Sequence, residues 1–130
     1  NNQALPFKRI KSLADIEQHL RIAQQNQQTV LLDFYADWCI SCHEMEAFTF
    51  GDPQVKIALK DMLLLQADVT QNDKVDRALM KHFSVMGPPS LLFFDTQGQE
   101  HNAYRIVGHV AAKPFSDHIK RFQQSLLPTP

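Results

Sequence analysis

Cys39 and Cys42 are the only cysteines of the 130-residue chain, and His43 follows them directly. A C-x-x-C pair is typical of a redox dithiol, which alternates between two thiols and one disulfide. Together with His43 the same residues also fit C-x-x-C-H, the attachment sequence of a c-type haem. A disulfide between residues this close in sequence constrains the unfolded chain very little, so a purely structural bridge is a poor explanation. The pair therefore predicts redox chemistry, by thiol exchange or through a haem.

Thiol exchange needs a thiolate that attacks, a second thiol that resolves the mixed disulfide, and access for the partner. We expect Cys39 at a helix N-terminus, where unpaired N–H groups favour the thiolate. Cys42 lies one turn further along, and we expect it beneath Cys39 and less exposed. Cys39 is thus predicted to attack and Cys42 to resolve. A zinc site takes about four ligands and no second cysteine pair exists, so neither a metal nor another cofactor is predicted.

Three carboxylates near the pair are candidates for tuning it. Asp33 interrupts an apolar run, which predicts a buried carboxyl with a raised pKa, the alternative being a solvated aspartate on an edge strand. Glu46 follows Cys42 by four residues and shares its helical face, although a plain surface charge explains it equally well. Asp37 lies two residues before Cys39. A carboxylate near a thiol raises the thiol's pKa, which makes the dithiol a better reductant.

The hydrophobic pattern predicts the elements that hold these residues. Strands are expected at residues 7–10, 29–36, 63–69, 90–95 and 103–108, the last one antiparallel to its neighbour. Helices are expected after Ser12, from Cys39 onward, after Asp52 and after a capping box of Thr70 and Asp73, with a final helix at the C-terminus. In the fourth of these helices, four side chains are expected to face the core: Val75, Ala78, Leu79 and Phe83.

The resulting order is βαβαβαββα, which predicts an α/β protein with a central mixed sheet flanked by helices. Class I cytochromes c are mostly helical, so this order favours the dithiol over the haem. The net charge of −1 gives no general attraction to nucleic acid, and the apolar runs are too short to cross a bilayer. We expect one domain over residues 1–130, with loose ends at 1–6 and 127–130. The start lacks an initiator methionine and a signal peptide, as in a mature or excised chain.

Three segments make the pattern more specific: LLDFYADWCISCHEMEAFTFGDPQV, LLQADVTQND and LLFFDTQGQE. Together they resemble the C-terminal thioredoxin-like domains of the DsbD family, bacterial transmembrane thiol:disulfide interchange proteins. The resemblance covers nearly the whole chain and implies a thioredoxin fold. It also implies a protein-disulfide reductase on the periplasmic side of the inner membrane, monomeric as an isolated domain. Such a domain relays electrons through transient mixed disulfides, from the membrane domain to the N-terminal domain of the same protein.

Two other functions remain open at this point. One is a different periplasmic thioredoxin-like reductant, such as one serving cytochrome c maturation. The other is a haem electron carrier, which a visible absorption spectrum would distinguish.

The resemblance also implies roles for individual residues. Asp33 matches an acid beneath the cysteine pair that exchanges a proton with Cys42, and together with Glu46 it should hold the pKa of Cys39 high. Trp38 is expected to half-cover the pair and contact partners. Pro89 matches the cis-proline opposite the cysteines. Pro88 departs from the pattern, because a proline cannot donate the N–H that this position normally offers to a partner strand.

Overall fold

The computed structural model describes residues 4–129 and contains a five-stranded sheet with the strand order β1-β3-β2-β4-β5. The strands are β1 Lys8–Ile10, β2 Val30–Tyr35, β3 Leu63–Asp68, β4 Ser90–Phe94 and β5 Ile106–Val107. The helices are α1 Leu13–Gln25, α2 Ile40–Glu44, α3 Pro53–Leu59, α4 Lys74–His82 and α5 Ala112–Ser125, with a π-helical segment Met45–Thr49 and a 3-10 turn Asn102–Tyr104. β1, β3 and β2 are parallel, whereas β4 is antiparallel to β2 and β5 to β4. This is the predicted mixed sheet flanked by helices.

The sheet separates two hydrophobic clusters. α1 and α4 pack on one face, where Ile16 and Leu79 join Leu32 and Phe34 of β2. The π-helical segment, α3 and α5 cover the other face. Every residue of β2 is buried, because the strand lies between β3 and β4 and carries helices on both sides. Ala36, which follows β2, is therefore joined to a strand that is buried along its whole length.

Local signals explain where several helices begin. Ser12 and Asp15 form the predicted capping box of α1, and Asp52 caps α3 with Pro53 at its first position. Residues 1–3 and 130, predicted to be loose, lie outside the described part of the chain. Leu5, also in a segment predicted to be loose, packs against the cluster beneath α5. No helix among residues 4–129 is long and apolar enough to span a bilayer.

The prediction for α4 was wrong in its start and in its inward face. Residues 70–72 form a turn in which Asn72 has φ +49°, so the helix begins at Lys74 with Asp73 as its cap and Asp76 completing the capping box. Thr70 stands outside the helix. Val75 and Ala78 are exposed, whereas Leu79 is buried and Phe83 packs against the core, as predicted. The carboxylate of Asp76 turns inward instead and pairs with the Lys11 ammonium at 2.6 Å.

The last strand is shorter than the predicted 103–108. After an isolated bridge between Phe94 and Glu100 the chain leaves the sheet in the 3-10 turn, and only Ile106 and Val107 pair with β4. Arg105 accounts for the interruption, because its guanidinium bonds to the Glu100 carboxylate and to the Phe83 carbonyl. The predicted antiparallel direction is confirmed.

The helix after the cysteines widens into a π-helix at Met45, which the sequence pattern did not indicate. A π-helix has more residues per turn than an α-helix, so a spacing of three residues no longer returns to the same side. Phe48, expected to continue the helical pattern, is accordingly 73% exposed, whereas Met45 and Thr49 are buried. Glu46, the first acidic residue of this segment, stays in the turn that follows Cys42.

Candidate functional site: a dithiol pair above a buried carboxyl

Cys39 and Cys42 form a disulfide at the start of α2, with their Cα atoms 5.3 Å apart. Cys39 is the N-cap residue, and its sulfur accepts a hydrogen bond from the Cys42 backbone N–H at 3.2 Å. The Cys42 N–H belongs to the backbone and is still there when the disulfide is reduced, so it can stabilise negative charge on the Cys39 sulfur. The two residues are 6% and 3% exposed, so their difference in exposure is slight. What distinguishes them is position: Cys39 lies at the open end of the helix and Cys42 within it.

Asp33 lies in β2, two residues before the strand ends, and is 3% exposed. Its predicted burial is confirmed, and the solvated edge position is excluded. Burial is the main cause that raises the pKa of Asp33 to about 7, and the charge of Glu46 contributes to the increase. A hydrogen bond from Gln66 Nε2 to Asp33 Oδ2, 2.8 Å long, acts in the opposite direction. A carboxyl poised near neutral pH can both take up and release a proton during exchange.

Glu46 is half-exposed, and its carboxylate lies 3.7 Å from Nδ1 of His43. Its charge acts on Asp33 and also on Tyr35. Glu46 and Asp33 thus interact electrostatically, while the role predicted for Glu46 at the cysteine pair stays a prediction. His43 is held on the other side of its ring, because its Nε2 donates to the Asp37 carbonyl at 2.7 Å.

Asp37 and Trp38 are held by Thr70, in the turn that follows β3. The Asp37 N–H donates to the Thr70 hydroxyl at 2.8 Å, and Trp38 Nε1 donates to the Thr70 carbonyl at 3.0 Å. The Tyr35 hydroxyl donates to the Asp37 carboxylate at 2.9 Å. Burial, followed by this hydrogen bond, raises the pKa of Tyr35 to about 12. Trp38 remains 60% exposed next to Cys39, a position suited to contact with another protein.

The Pro88–Pro89 peptide bond is cis, as the resemblance implied. Ser90 pairs with Phe34, one residue before the end of β2. The loop before β4 therefore lies at the same end of the sheet as the cysteines, which follow β2 in sequence. The Pro89 carbonyl accepts from the Gly108 N–H at 2.9 Å, and the Gly87 carbonyl accepts from the Ser90 hydroxyl at 2.7 Å. Within the described part of the chain the Pro88 carbonyl accepts no hydrogen bond, and Pro88 as a residue is partly exposed. It is therefore available as an acceptor.

Two apolar side chains at this edge were missed from the sequence. Ile40, between the cysteines, is 78% exposed, and Met86, just before the proline loop, is 98% exposed. Large apolar side chains clustered at the surface are typical of interaction sites. The apolar isoleucine between the cysteines was a signal for the first, whereas nothing in the sequence marked Met86.

Gln66 and Arg9 were also missed. Gln66 is a polar residue inside the apolar strand β3, the same kind of signal that revealed Asp33, and it is 4% exposed. Its Oε1 accepts from Arg9 Nε at 2.8 Å. In the described residues no group of three or more His, Cys, Asp or Glu side chains is placed to hold a metal ion.

Comparison with known proteins agrees with this geometry. Residues 11–96 match a family of thioredoxin-like proteins. The chain is 49% identical over 116 residues to the thiol:disulfide interchange protein DsbD of Escherichia coli strain K12, covering 89% of this chain but 20% of that protein. It also superposes on the crystal structure of the oxidised C-terminal domain of Neisseria meningitidis DsbD with a TM-score of 0.73, at 32% identity, covering 90% of this chain and 98% of the other. The chain belongs to the thioredoxin-like family, as a DsbD C-terminal domain.

A more distant likeness supports the fold alone. A thioredoxin from Halobacterium salinarum, 24% identical, superposes with a TM-score of 0.65 over 92% of both chains. The DsbD match is the one that bears on chemistry, because the chain is 49% identical over 116 residues to a protein named for thiol:disulfide interchange. Cys39 and Cys42 are thus the redox pair of a thiol:disulfide oxidoreductase, which decides against the haem alternative. The chain spans about a fifth of the length of the curated DsbD proteins it matches.

Proposed function

We propose that this domain is a protein-disulfide reductase that relays two electrons from a membrane domain to the N-terminal domain of the same DsbD protein. The observation that carries the proposal is the Cys39–Cys42 pair, placed at a helix start and combined with the buried carboxyl of Asp33. The relay would operate on the periplasmic side of the inner membrane, with partners linked covalently through transient mixed disulfides.

The first step is attack by the Cys39 thiolate on the disulfide of the partner. A bond forms between Cys39 and one partner sulfur, and the other partner sulfur leaves as a thiolate. The Cys42 N–H, which donates to the Cys39 sulfur, supports the nucleophile before attack. The partial charges at the start of α2 act in the same direction.

The second step is resolution by Cys42. Its thiol passes its proton to the Asp33 carboxylate, and the resulting thiolate attacks the Cys39 sulfur. The Cys39–Cys42 disulfide forms, and the second partner sulfur leaves as a thiolate. Two electrons have then passed to the partner, which ends as a dithiol once both thiolates are protonated. The domain ends as the disulfide that the structure contains.

The carboxylates give the pair its reducing character. Asp33 and Glu46 together disfavour negative charge nearby, which raises the pKa of the Cys39 thiol. The N–H donor from Cys42 acts in the opposite direction. A thiol of higher pKa forms a less easily reduced disulfide, so the dithiol gives up electrons readily. The charge of Glu46 acting on Asp33 supports this assignment of Glu46 to the site.

Partner contact is assigned to the surface around the pair. Trp38 and Ile40 flank Cys39 in sequence, and Met86, Pro88 and Pro89 belong to the neighbouring loop. The exposed apolar side chains supply contact area, and the free Pro88 carbonyl supplies an acceptor for an extended partner segment. Such a small contact suits an encounter that must end after each exchange.

A direct test is reduction of the oxidised N-terminal domain of the E. coli relative by the reduced domain described here. We expect fast two-electron transfer, visible as a mass shift when the new thiols are labelled with a maleimide. Insulin, a general substrate of thioredoxins, serves as the comparison and should be reduced more slowly. Equal or faster reduction of insulin would contradict the proposed partner and favour a general reductant.

The missing donor at Pro88 leads to a quantitative prediction. Pro88→Thr supplies an N–H, and one such hydrogen bond contributes about 0.5–1.5 kcal/mol, so we expect the N-terminal partner domain to bind up to about tenfold more tightly. Calorimetry with the cysteines of both proteins replaced by alanine would measure the non-covalent affinity. Pro128→Thr, in the exposed C-terminal segment, is the matched control. Unchanged affinity in a folded Pro88→Thr variant would show that this donor is irrelevant to binding.

A further inference from the structure

Arg9, Gln66 and Asp33 form a continuous row across three parallel strands. Arg9 of β1 is the register partner of Gln66 in β3, and Gln66 is the register partner of Asp33 in β2. Arg9 Nε donates to Gln66 Oε1 and Gln66 Nε2 donates to Asp33 Oδ2, both at 2.8 Å. The row leads from a half-exposed guanidinium to a buried carboxyl.

The chemistry of arginine fixes the direction of this row. A guanidinium has N–H groups only and cannot accept a hydrogen bond, so the oxygen of the Gln66 amide must face Arg9. The NH2 group of the amide then faces Asp33, where it can only donate. A donor favours the carboxylate over the protonated carboxyl. Without Arg9 the amide could rotate and present its oxygen to the O–H of a protonated Asp33, which would favour the opposite state.

Arg9 is itself held in place. Its Nη1 donates to the Asp68 carboxylate at 2.8 Å, and its guanidinium lies 5.4 Å from the centre of the Tyr35 ring. Arg9, Gln66 and Glu46 also line a solvent-open cavity of about 440 Å³. Water therefore reaches the polar row one side chain away from Asp33.

We propose that Arg9 is a positioning residue for proton transfer at Asp33, acting through the orientation of the Gln66 amide. This inference rests on the proposed function, in which Asp33 accepts the proton of Cys42. Arg9 keeps Asp33 ready to act as a base although burial favours its protonated form. The charged groups that act on Asp33 are Glu46 on the π-helical segment and Arg9 on β1, while its register partner on β4 is the apolar Leu91.

The test follows the titration of Asp33 in the oxidised protein, by the ¹³C chemical shift of its carboxyl carbon. Arg9→Met is expected to shift the pKa of Asp33 upward by at least about half a unit, because the amide is freed and a cation is lost. Glu46→Gln should shift it downward. Lys8→Met, on the same strand and also exposed, removes a cation and should leave the titration unchanged. An unshifted titration in Arg9→Met would overturn the proposal.

A double-mutant cycle separates positioning from simple charge. If Arg9 acts through the amide, Arg9→Met should cause less than half of its original shift in a Gln66→Leu background. A full shift in that background would mean that Arg9 acts on Asp33 only as a distant charge, and the positioning role would be wrong. Arg9→Lys retains a donor and a charge, and we expect it to restore most of the wild-type titration.

These measurements use no cysteine chemistry, so they remain decisive whether or not Asp33 serves in exchange. The proposed function is tested separately, by the rate at which Cys42 resolves a mixed disulfide in Asp33→Asn. Unchanged resolution there would contradict the role of Asp33 as a base, whereas the link from Arg9 to Asp33 would still be decided by the titrations.

Discussion

Cys39→Ala is expected to abolish electron transfer to a protein disulfide, with a loss of at least about 1,000-fold, as is typical when a nucleophile is removed. Cys42→Ala should still complete the first half of the reaction and accumulate a mixed disulfide through Cys39. The difference arises because Cys39 caps the helix and accepts the Cys42 N–H, whereas Cys42 lies within the helix. Non-reducing gels of each variant mixed with the oxidised partner domain would show the trapped species directly.

A second measurement checks the same assignment in the wild-type protein. In the reduced state Cys39 should react with iodoacetamide faster than Cys42, because it carries the stabilised thiolate. Ser41→Ala, between the two cysteines, is the matched control and should keep both reactions. Trapping through Cys42 in a Cys39→Ala variant, or faster alkylation of Cys42, would reverse the assigned roles.

Asp33→Asn is expected to stabilise the oxidised protein at pH 8.5 by about 2–3 kcal/mol and to change its stability little near pH 4. Burial raises the pKa of Asp33 to about 7 in the folded protein, above its ordinary value of 3.8. The folded state therefore binds this proton more tightly than the unfolded chain between those two pH values. The stability contributed by Asp33 is fully present below about pH 4 and is lost as the pH rises through 7.

The size of this effect follows from the shift in pKa. About three units correspond to about 4 kcal/mol, and the amide introduced by Asp33→Asn loses part of this gain because its N–H groups need acceptors. Urea unfolding at several pH values would measure it, with Asp61→Asn as a control that removes an exposed carboxylate. Parallel stability–pH curves for the wild type and Asp33→Asn would show that Asp33 does not titrate in this range.

The main features of the site were predictable because their signals are local. A C-x-x-C pair after an apolar strand indicates a redox helix start, and a single charge inside an apolar run indicates a buried carboxyl. Gln66 gave the same kind of signal, but its meaning depends on strand register. The sequence does not state which residue of β1 or β2 lies beside it, so the link from Arg9 to Asp33 could be found only in three dimensions.

The wrong predictions also have physical causes. Val75 and Ala78 fitted a helical pattern that began at Thr70, but Thr70 bonds to Asp68 and to the Asp37 N–H and so remains in the turn. The last strand was predicted too long. Arg105 binds the Glu100 carboxylate and the Phe83 carbonyl, and such contacts cannot be inferred from the β-propensity of neighbouring residues. In each case a side-chain contact between distant segments overrode the local pattern.

The row from Arg9 to Asp33 limits how the length of this chain can vary. Side chains alternate between the two faces of a sheet, so inserting or deleting one residue in β3 would turn Gln66 away and place Leu65 or Ala67 beside Asp33. An apolar side chain there can neither donate to Asp33 nor accept from Arg9. Added sequence, such as a labelling tag or a linker, therefore belongs in a connection such as the turn at residues 96–99, where a longer loop leaves all three strands in register.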